Sequence, residues 1–99
     1  MAEIIWTAMA VDDLENIAEY IAIDSEYYAA DFVKRIIDQV EKLENFPLLG
    51  RKVPEENNKY LREIIYHNYR LVYKLVDDKI YITIISHGSF DLAERFEDV

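Results

Sequence analysis

Residues 60–86 read YLREIIYHNYRLVYKLVDDKIYITIIS, and their pattern predicts most of the sheet. Apolar and polar side chains alternate along it, which is typical of β-strands with one buried face. The pattern predicts three strands, Tyr60–Tyr66, Tyr69–Val76 and Lys79–Ser86. The gaps His67-Asn68 and Asp77-Asp78 are two-residue turns, and asparagine tolerates the left-handed backbone that tight hairpins need. The sequence therefore predicts an antiparallel meander.

Two amphipathic helices are predicted upstream of the meander. Apolar side chains recur at helical spacing from Leu14 to Ile21, so the first helix should cover about residues 8–23, with Thr7 as its cap. A second helical period begins after Ser25 and stops before Pro47. Because only a few residues join the two helices, they should form an antiparallel αα-hairpin.

The order of elements defines the fold class. Residues 3–7 form a short stretch rich in apolar and β-branched side chains, which predicts an N-terminal strand. Residues 47–59 show neither a helical nor a strand period, which predicts the longest loop of the chain. The order is then β-α-α-β-β-β. Such elements form a two-layer α+β fold, in which an antiparallel sheet packs against the αα-hairpin. With 99 residues, one domain over residues 1–99 is expected.

The chain is acidic, and its charge is unevenly distributed. Eleven lysines and arginines oppose twenty acidic residues, for a net charge of −9. Residues 1–50 carry −8, whereas residues 51–79 carry +2. A chain of this charge repels polyphosphate at long range, which argues against generic nucleic-acid binding. A local contact with an anion would have to use the middle segment.

Several function classes lack their sequence signals. Cysteine is absent, so disulfides and thiolate zinc sites are excluded. There is no glycine-rich phosphate loop, no Gly-x-Ser-x-Gly elbow and no His-x-x-x-His pair, so we expect no cofactor and no metal. No apolar run approaches the roughly 20 residues of a membrane span, and the N-terminus lacks a basic signal-peptide start. A cytoplasmic protein is expected.

Short motifs along most of the chain resemble one known family. In order they are Trp6, Asp13-Leu14, Ile17, Tyr20-Ile21, Ala30, Phe32, Leu43, Pro47, Gly50-Arg51, Arg62-Glu63, Tyr69-Arg70, Tyr73 and His87-Gly88. Together they resemble the RelE/ParE superfamily of type II toxin–antitoxin toxins, most closely the ParE branch, the group associated with plasmid stabilization. The resemblance implies a growth inhibitor that a cognate antitoxin neutralises in a hetero-oligomer.

The resemblance favours a ParE-like inhibitor of a topoisomerase and leaves two alternatives open. Similar ParE proteins inhibit DNA gyrase, which implies a toxin that binds a topoisomerase without catalysis. Similar RelE proteins cut mRNA on the ribosome, which implies an endoribonuclease. The family usually carries a basic residue soon after the histidine, where this chain has Ser89-Phe90. That difference suits a third possibility, a degenerate family member that binds an antitoxin without being toxic. Whether the protein is an enzyme therefore stays open.

The candidate site residues apply to the RelE-like alternative. A metal-free ribonuclease needs a base, an acid and cations around the scissile phosphate. Arg70 matches the position of a phosphate-stabilising arginine in several RelE-like toxins, and His87 could act as general base. Arg51 and Arg62 are the other cations. A structural role is the alternative for each, including a cross-strand ion pair for Arg62-Glu63. A focused positive cleft around these arginines would favour the nuclease.

Overall fold

The computed structural model describes residues 2–88 and 90–98, and its elements follow the predicted order with one added strand. The helices are α1 (Ala8–Asp24) and α2 (Glu26–Glu41), and short 3-10 turns cover Lys42–Glu44 and Arg95–Asp98. The strands are β1 (Glu3–Trp6), β2 (Arg51–Lys52), β3 (Leu61–Tyr66), β4 (Tyr69–Val76) and β5 (Lys79–His87). The α+β class is confirmed. The added strand, β2, lies in the loop that showed no sequence period.

Both predicted helix caps are present. The Thr7 hydroxyl oxygen accepts from the Ala10 amide at 3.2 Å and donates to the Ile82 carbonyl at 2.7 Å, so it begins α1 and attaches it to β5. Ser25 ends α1 by donating its amide to the Ile21 carbonyl at 3.0 Å. Its hydroxyl oxygen accepts from the Tyr28 amide at 3.1 Å and begins α2. One extended residue therefore links the two helices of the αα-hairpin.

The sheet has the order β1-β5-β4-β3-β2, and it is mixed. The antiparallel meander β3-β4-β5 is confirmed, and β2 pairs antiparallel with β3. β1, however, runs parallel to β5, with Ile4 opposite Ile80. The expectation of a purely antiparallel sheet is corrected at this edge. Alternation reports the face on which a side chain lies, but it does not report the direction of the neighbouring strand.

The turns of the meander fall where they were predicted, with one difference in backbone conformation. His67 and Asp77 adopt positive φ angles of 52° and 56°. The left-handed residue of the first turn is therefore His67, and Asn68 does not take that role. A bulge between Val72 and Tyr73 shifts the register against β5, and the Thr83 hydroxyl donates to the Val72 carbonyl at 3.1 Å beside it.

Both faces of the sheet are covered. The αα-hairpin packs on one face around a main core that includes Ala10, Leu14, Ile36, Val40, Leu71, Tyr73, Ile80 and Ile82. A second core cluster lies on the other face and contains Val53, Leu61, Val72, Ile84, Leu92 and Phe96. The loop before β3 and the C-terminal segment supply Val53, Leu92 and Phe96 to it. Each such buried aliphatic or aromatic side chain contributes about 1.5–3 kcal/mol of transfer free energy.

Within the two described ranges, no helix combines the length and the apolar character that crossing a membrane requires.

Candidate functional site

Three of the four candidate site residues line one open cleft at the end of the meander. The cleft has a volume of about 660 Å³, and Arg51, Arg70 and His87 contribute to its walls together with His67. Arg62 is not part of this lining. The fold therefore brings together most of the set that the RelE-like alternative needs.

The donors of Arg70 are occupied by carboxylates of the same chain. Arg70 lies on β4 and is 6% exposed. Its Nε donates to Glu63 Oε1 at 2.7 Å, while Nη1 and Nη2 donate to the two oxygens of Glu55 at 2.5 and 2.6 Å. Each of its three nitrogens thus donates to a carboxylate. The contact with Glu55 has the planar two-point geometry that arginine makes with carboxylates and phosphates alike.

A second arginine shares one of these carboxylates. Arg51 lies directly opposite Glu63 across the β2–β3 pair. Its Nε and Nη2 donate to Glu63 Oε2 at 2.9 and 2.8 Å. Glu63 is only 1% exposed, so these bonds compensate a buried negative charge. Two arginines and two glutamates make the cluster electrically neutral. The focused positive potential that would favour a nuclease is therefore not produced by this cluster.

The ion pairs hold these groups in their charged forms. The hydrogen bonds from Arg70 lower the pKa of Glu55 to about 2, and the Leu92 amide, which donates to Glu55 Oε2 at 3.3 Å, acts in the same direction. The same hydrogen bonds to Glu55 raise the pKa of Arg70. Neither group can exchange a proton near neutral pH, so the pair is suited to holding structure and unsuited to acid–base catalysis.

Arg62 belongs to a different cluster. Neighbouring residues of a strand point to opposite faces, so within Arg62-Glu63 only Glu63 takes part in a cross-strand ion pair, the one with Arg51. Arg62 Nη1 donates instead to the Gly50 carbonyl at 2.7 Å. The Gly50 amide donates to the Tyr73 hydroxyl oxygen at 2.9 Å, and that hydroxyl donates to the Pro47 carbonyl at 2.7 Å. Arg62 thus fixes the start of β2.

His87 is the exposed last residue of β5. Its ring meets Tyr69 edge-on, with the ring centroids 5.5 Å apart, and its centroid lies 6.2 Å from that of Phe90. It also borders a second groove of about 800 Å³, whose lining includes Tyr20, Tyr69 and Phe90. Ser89, the other residue of the Ser89-Phe90 pair, lies outside the described residues.

Sequence reasoning missed the carboxylates that engage the arginines. Glu55 lies in the loop that showed no sequence period, and Glu63 was considered only as part of Arg62-Glu63. A signal was present, because an arginine in an otherwise apolar strand needs a buried carboxylate partner. Asp13 was missed in the same way. Its Oδ2 accepts from the Ile85 amide at 3.0 Å and from Arg95 Nη2 at 2.8 Å.

Comparisons with known structures identify the fold. A chain of the chromosomal ParDE toxin–antitoxin system from P. aeruginosa matches with a TM-score of 0.73 and 22% identity, covering 88% of this chain and 96% of that one. A chain of the RelBE2 toxin–antitoxin complex from Mycobacterium tuberculosis matches with a TM-score of 0.64 and 18% identity, covering 87% and 96%. At these sequence identities, both matches show a similarity of fold.

Sequence comparison identifies the family. Curated protein sequences gave no significant match. The family model described as the ParE toxin of the type II toxin–antitoxin system parDE matches residues 4–92. The resemblance noted from short motifs is thereby confirmed. Because the match covers most of the sequence, this chain belongs to the ParE toxin family of type II toxin–antitoxin systems.

Proposed function

We propose that this chain inhibits a type II topoisomerase such as DNA gyrase by binding it, without cleaving nucleic acid itself. Membership of the ParE family supports this function. The observation that carries the proposal is the engagement of Arg70, whose three nitrogens donate to Glu55 and Glu63. The arginine that a nuclease would use to stabilise a phosphorane is already neutralised by the chain.

Freeing Arg70 for a phosphate would be costly. The arginine would have to leave Glu55, and Glu63 would lose a donor while it remains buried. Leaving a buried charged group without its partner costs several kcal/mol. A net charge of −9 adds long-range repulsion of RNA. A protein target with a basic surface avoids both costs.

A cognate antitoxin is the proposed second partner. The two matched structures are described as a ParDE toxin–antitoxin system and a RelBE2 toxin–antitoxin complex. By analogy, this chain forms a hetero-oligomer with an antitoxin that blocks its action. The cytoplasm, where bacterial topoisomerases and ribosomes work, is the proposed location.

The first experiment expresses the protein inducibly in a bacterium and follows thymidine and methionine incorporation over the first minutes. We expect DNA synthesis to stop first, because a blocked topoisomerase halts replication before translation. Purified protein should then reduce supercoiling by gyrase at micromolar concentration. Unchanged supercoiling and unchanged DNA cleavage would contradict the proposal.

A ribosome-dependent mRNA endonuclease is the second candidate, because Arg51, Arg70 and His87 line one cleft. It predicts that protein synthesis stops first and that mRNA is cut in frame on ribosomes. Those cuts should vanish in Arg70→Ala. If neither synthesis falls while soluble protein accumulates, the chain is instead a non-toxic antitoxin-binding member of the family.

A further inference from the structure

Four large apolar side chains are exposed where the αα-hairpin turns. Tyr20, Ile23, Tyr27 and Tyr28 are 76%, 80%, 74% and 65% exposed, and we call this set the hairpin tip. Single exposed apolar residues are ordinary, but four of them within residues 20–28, on both sides of one helix–helix turn, indicate an interaction surface. Tyrosine is also among the residues that carry most binding energy in protein interfaces.

The hairpin tip is preformed. Ser25 alone links the helices, and it ends α1 and begins α2 through backbone and side-chain hydrogen bonds. Tyr27 and Tyr28 contact each other edge-on, with their ring centroids 5.5 Å apart. Binding through this surface would therefore require little ordering of backbone or side chains, which favours affinity.

The surroundings of the hairpin tip are acidic. Residues 8–33 contain seven acidic residues and no lysine or arginine. Glu19, Asp24 and Glu26 are exposed next to the apolar side chains. Two copies of such a surface would repel each other, which argues against a dimer formed through the tip. The complementary surface is an apolar pocket with a basic rim.

We propose that the hairpin tip is the surface through which this protein docks on its target topoisomerase. The inference rests on the proposed function, and it names the docking residues and the chemistry of the pocket that receives them. An enzyme that handles DNA carries basic surfaces for the phosphate backbone. The acidic rim of the tip faces such a surface, while Ile23 and Tyr27 fill the apolar pocket within it.

The chain offers a matched control surface. Phe46, Leu48 and Leu49 are 64%, 63% and 53% exposed in the loop after the Lys42–Glu44 turn. Their surroundings differ in charge, because residues 41–52 contain three basic and two acidic residues, whereas residues 8–33 contain no lysine or arginine. Substitutions here remove exposed apolar side chains without touching the hairpin tip.

The experiment compares Ile23→Ser/Tyr27→Ser with Leu48→Ser/Leu49→Ser in a gyrase supercoiling assay. We expect the tip variant to need at least about tenfold more protein for half-maximal inhibition, since interface anchors typically contribute this much. The control variant should inhibit like the unmodified protein. A tip variant that inhibits as well as the control overturns the proposal.

Further measurements separate the remaining outcomes. Circular dichroism and urea unfolding check that both variants fold, and Asp24→Asn/Glu26→Gln provides a second test that leaves the apolar side chains intact. This charge variant should weaken inhibition at low salt and flatten the salt dependence of inhibition. An unchanged salt dependence contradicts the basic rim.

Full inhibition combined with lost antitoxin binding in the tip variant would assign the surface to the antitoxin and overturn the proposal. An unmodified protein that leaves supercoiling unchanged contradicts the proposed function itself.

Discussion

Arg70 and Glu55 form a two-point ion pair, with Nη1–Oε2 and Nη2–Oε1 distances of 2.5 and 2.6 Å. Glu55 Oε2 also accepts from the Leu92 amide at 3.3 Å. The pair therefore joins three separate parts of the chain, namely the loop before β3, the strand β4 and the C-terminal segment. These same parts supply residues to the second core cluster. The ion pair therefore stabilises the packing of the second core cluster against the sheet.

The variant Glu55→Gln tests this role. It should lower the free energy of unfolding by about 2 kcal/mol, because the glutamine amide offers Arg70 one acceptor oxygen in place of two, and that oxygen carries no charge. Urea unfolding at neutral pH measures the loss. Glu56→Gln removes the same charge one residue away and should change stability by no more than about 0.5 kcal/mol. Equal losses in the two variants would show that the ion pair does not hold the segments together.

Acid should remove the contribution of Glu55. Its pKa falls from 4.5 to about 2 on folding, so the carboxylate stabilises the fold fully above the unfolded value. The stabilisation is lost as pH falls from about 4.5 towards 2. The difference in unfolding free energy between the unmodified protein and Glu55→Gln should therefore shrink over this range. Urea unfolding at pH 6, 4 and 3 measures it, and a difference that stays constant with pH would contradict the assignment.

The sequence pattern predicted what local periodicity can specify. The helical periods around Leu14 and Ile36 assign side chains to the buried face of each helix. In β5 the alternation holds only as far as the bulge, because Ile80 and Ile82 lie in the main core whereas Ile84 lies in the second core cluster. Thr7 and Ser25 are helix caps because the hydroxyl oxygen of each accepts a hydrogen bond from the amide three residues later, which is a local contact. The parallel pairing of β1 with β5 and the two-residue strand β2 depend on contacts between distant segments, and no local period encodes such contacts.

The candidate site was predicted less completely than the fold. Arg70 was identified from its position, yet its partner Glu55 lies in a loop without periodicity. The orientation of a loop side chain depends on the tertiary fold. The strand β3 makes the same point, because alternation places Glu63 on the face of Arg70 and away from Arg62. The arginines of the site could thus be predicted from the sequence, whereas the carboxylates that neutralise them could be identified only from the fold.

Asp13→Ala should weaken the attachment of α1 to β5. β1 pairs with β5 only as far as Ile82, and beyond it the Asp13 carboxylate accepts from the Ile85 amide at 3.0 Å. Without that acceptor a strand amide next to the core loses its partner, at a cost of about 1–3 kcal/mol. Hydrogen exchange should show faster exchange at the Ile85 amide.

Asp12→Ala is the matched control for this prediction. Asp12 is exposed on the same helix, one residue away, so its removal should leave the exchange of the Ile85 amide unchanged. Asp13 also accepts from Arg95, so Arg95→Gln separates the ion pair from the strand contact. Unaltered exchange in Asp13→Ala would mean that water replaces the carboxylate without loss.

Gly50→Ala should destabilise the protein through direct overlap. A Cβ atom at this position would lie 2.7 Å from the Glu63 carbonyl oxygen and 2.7 Å from Cε1 of Tyr73. Tyr73 is buried and its hydroxyl bonds both the Gly50 amide and the Pro47 carbonyl, so neither neighbour can move freely. Overpacking of this kind costs about 1–3 kcal/mol.

Gly88→Ala provides the comparison. A Cβ atom at Gly88 would have the Asn68 carbonyl oxygen as its nearest neighbour, at 3.2 Å, so the loss of stability should be smaller. Urea unfolding of both variants decides the matter, and a Gly50→Ala protein as stable as Gly88→Ala would mean that the backbone shifts to accept the methyl group.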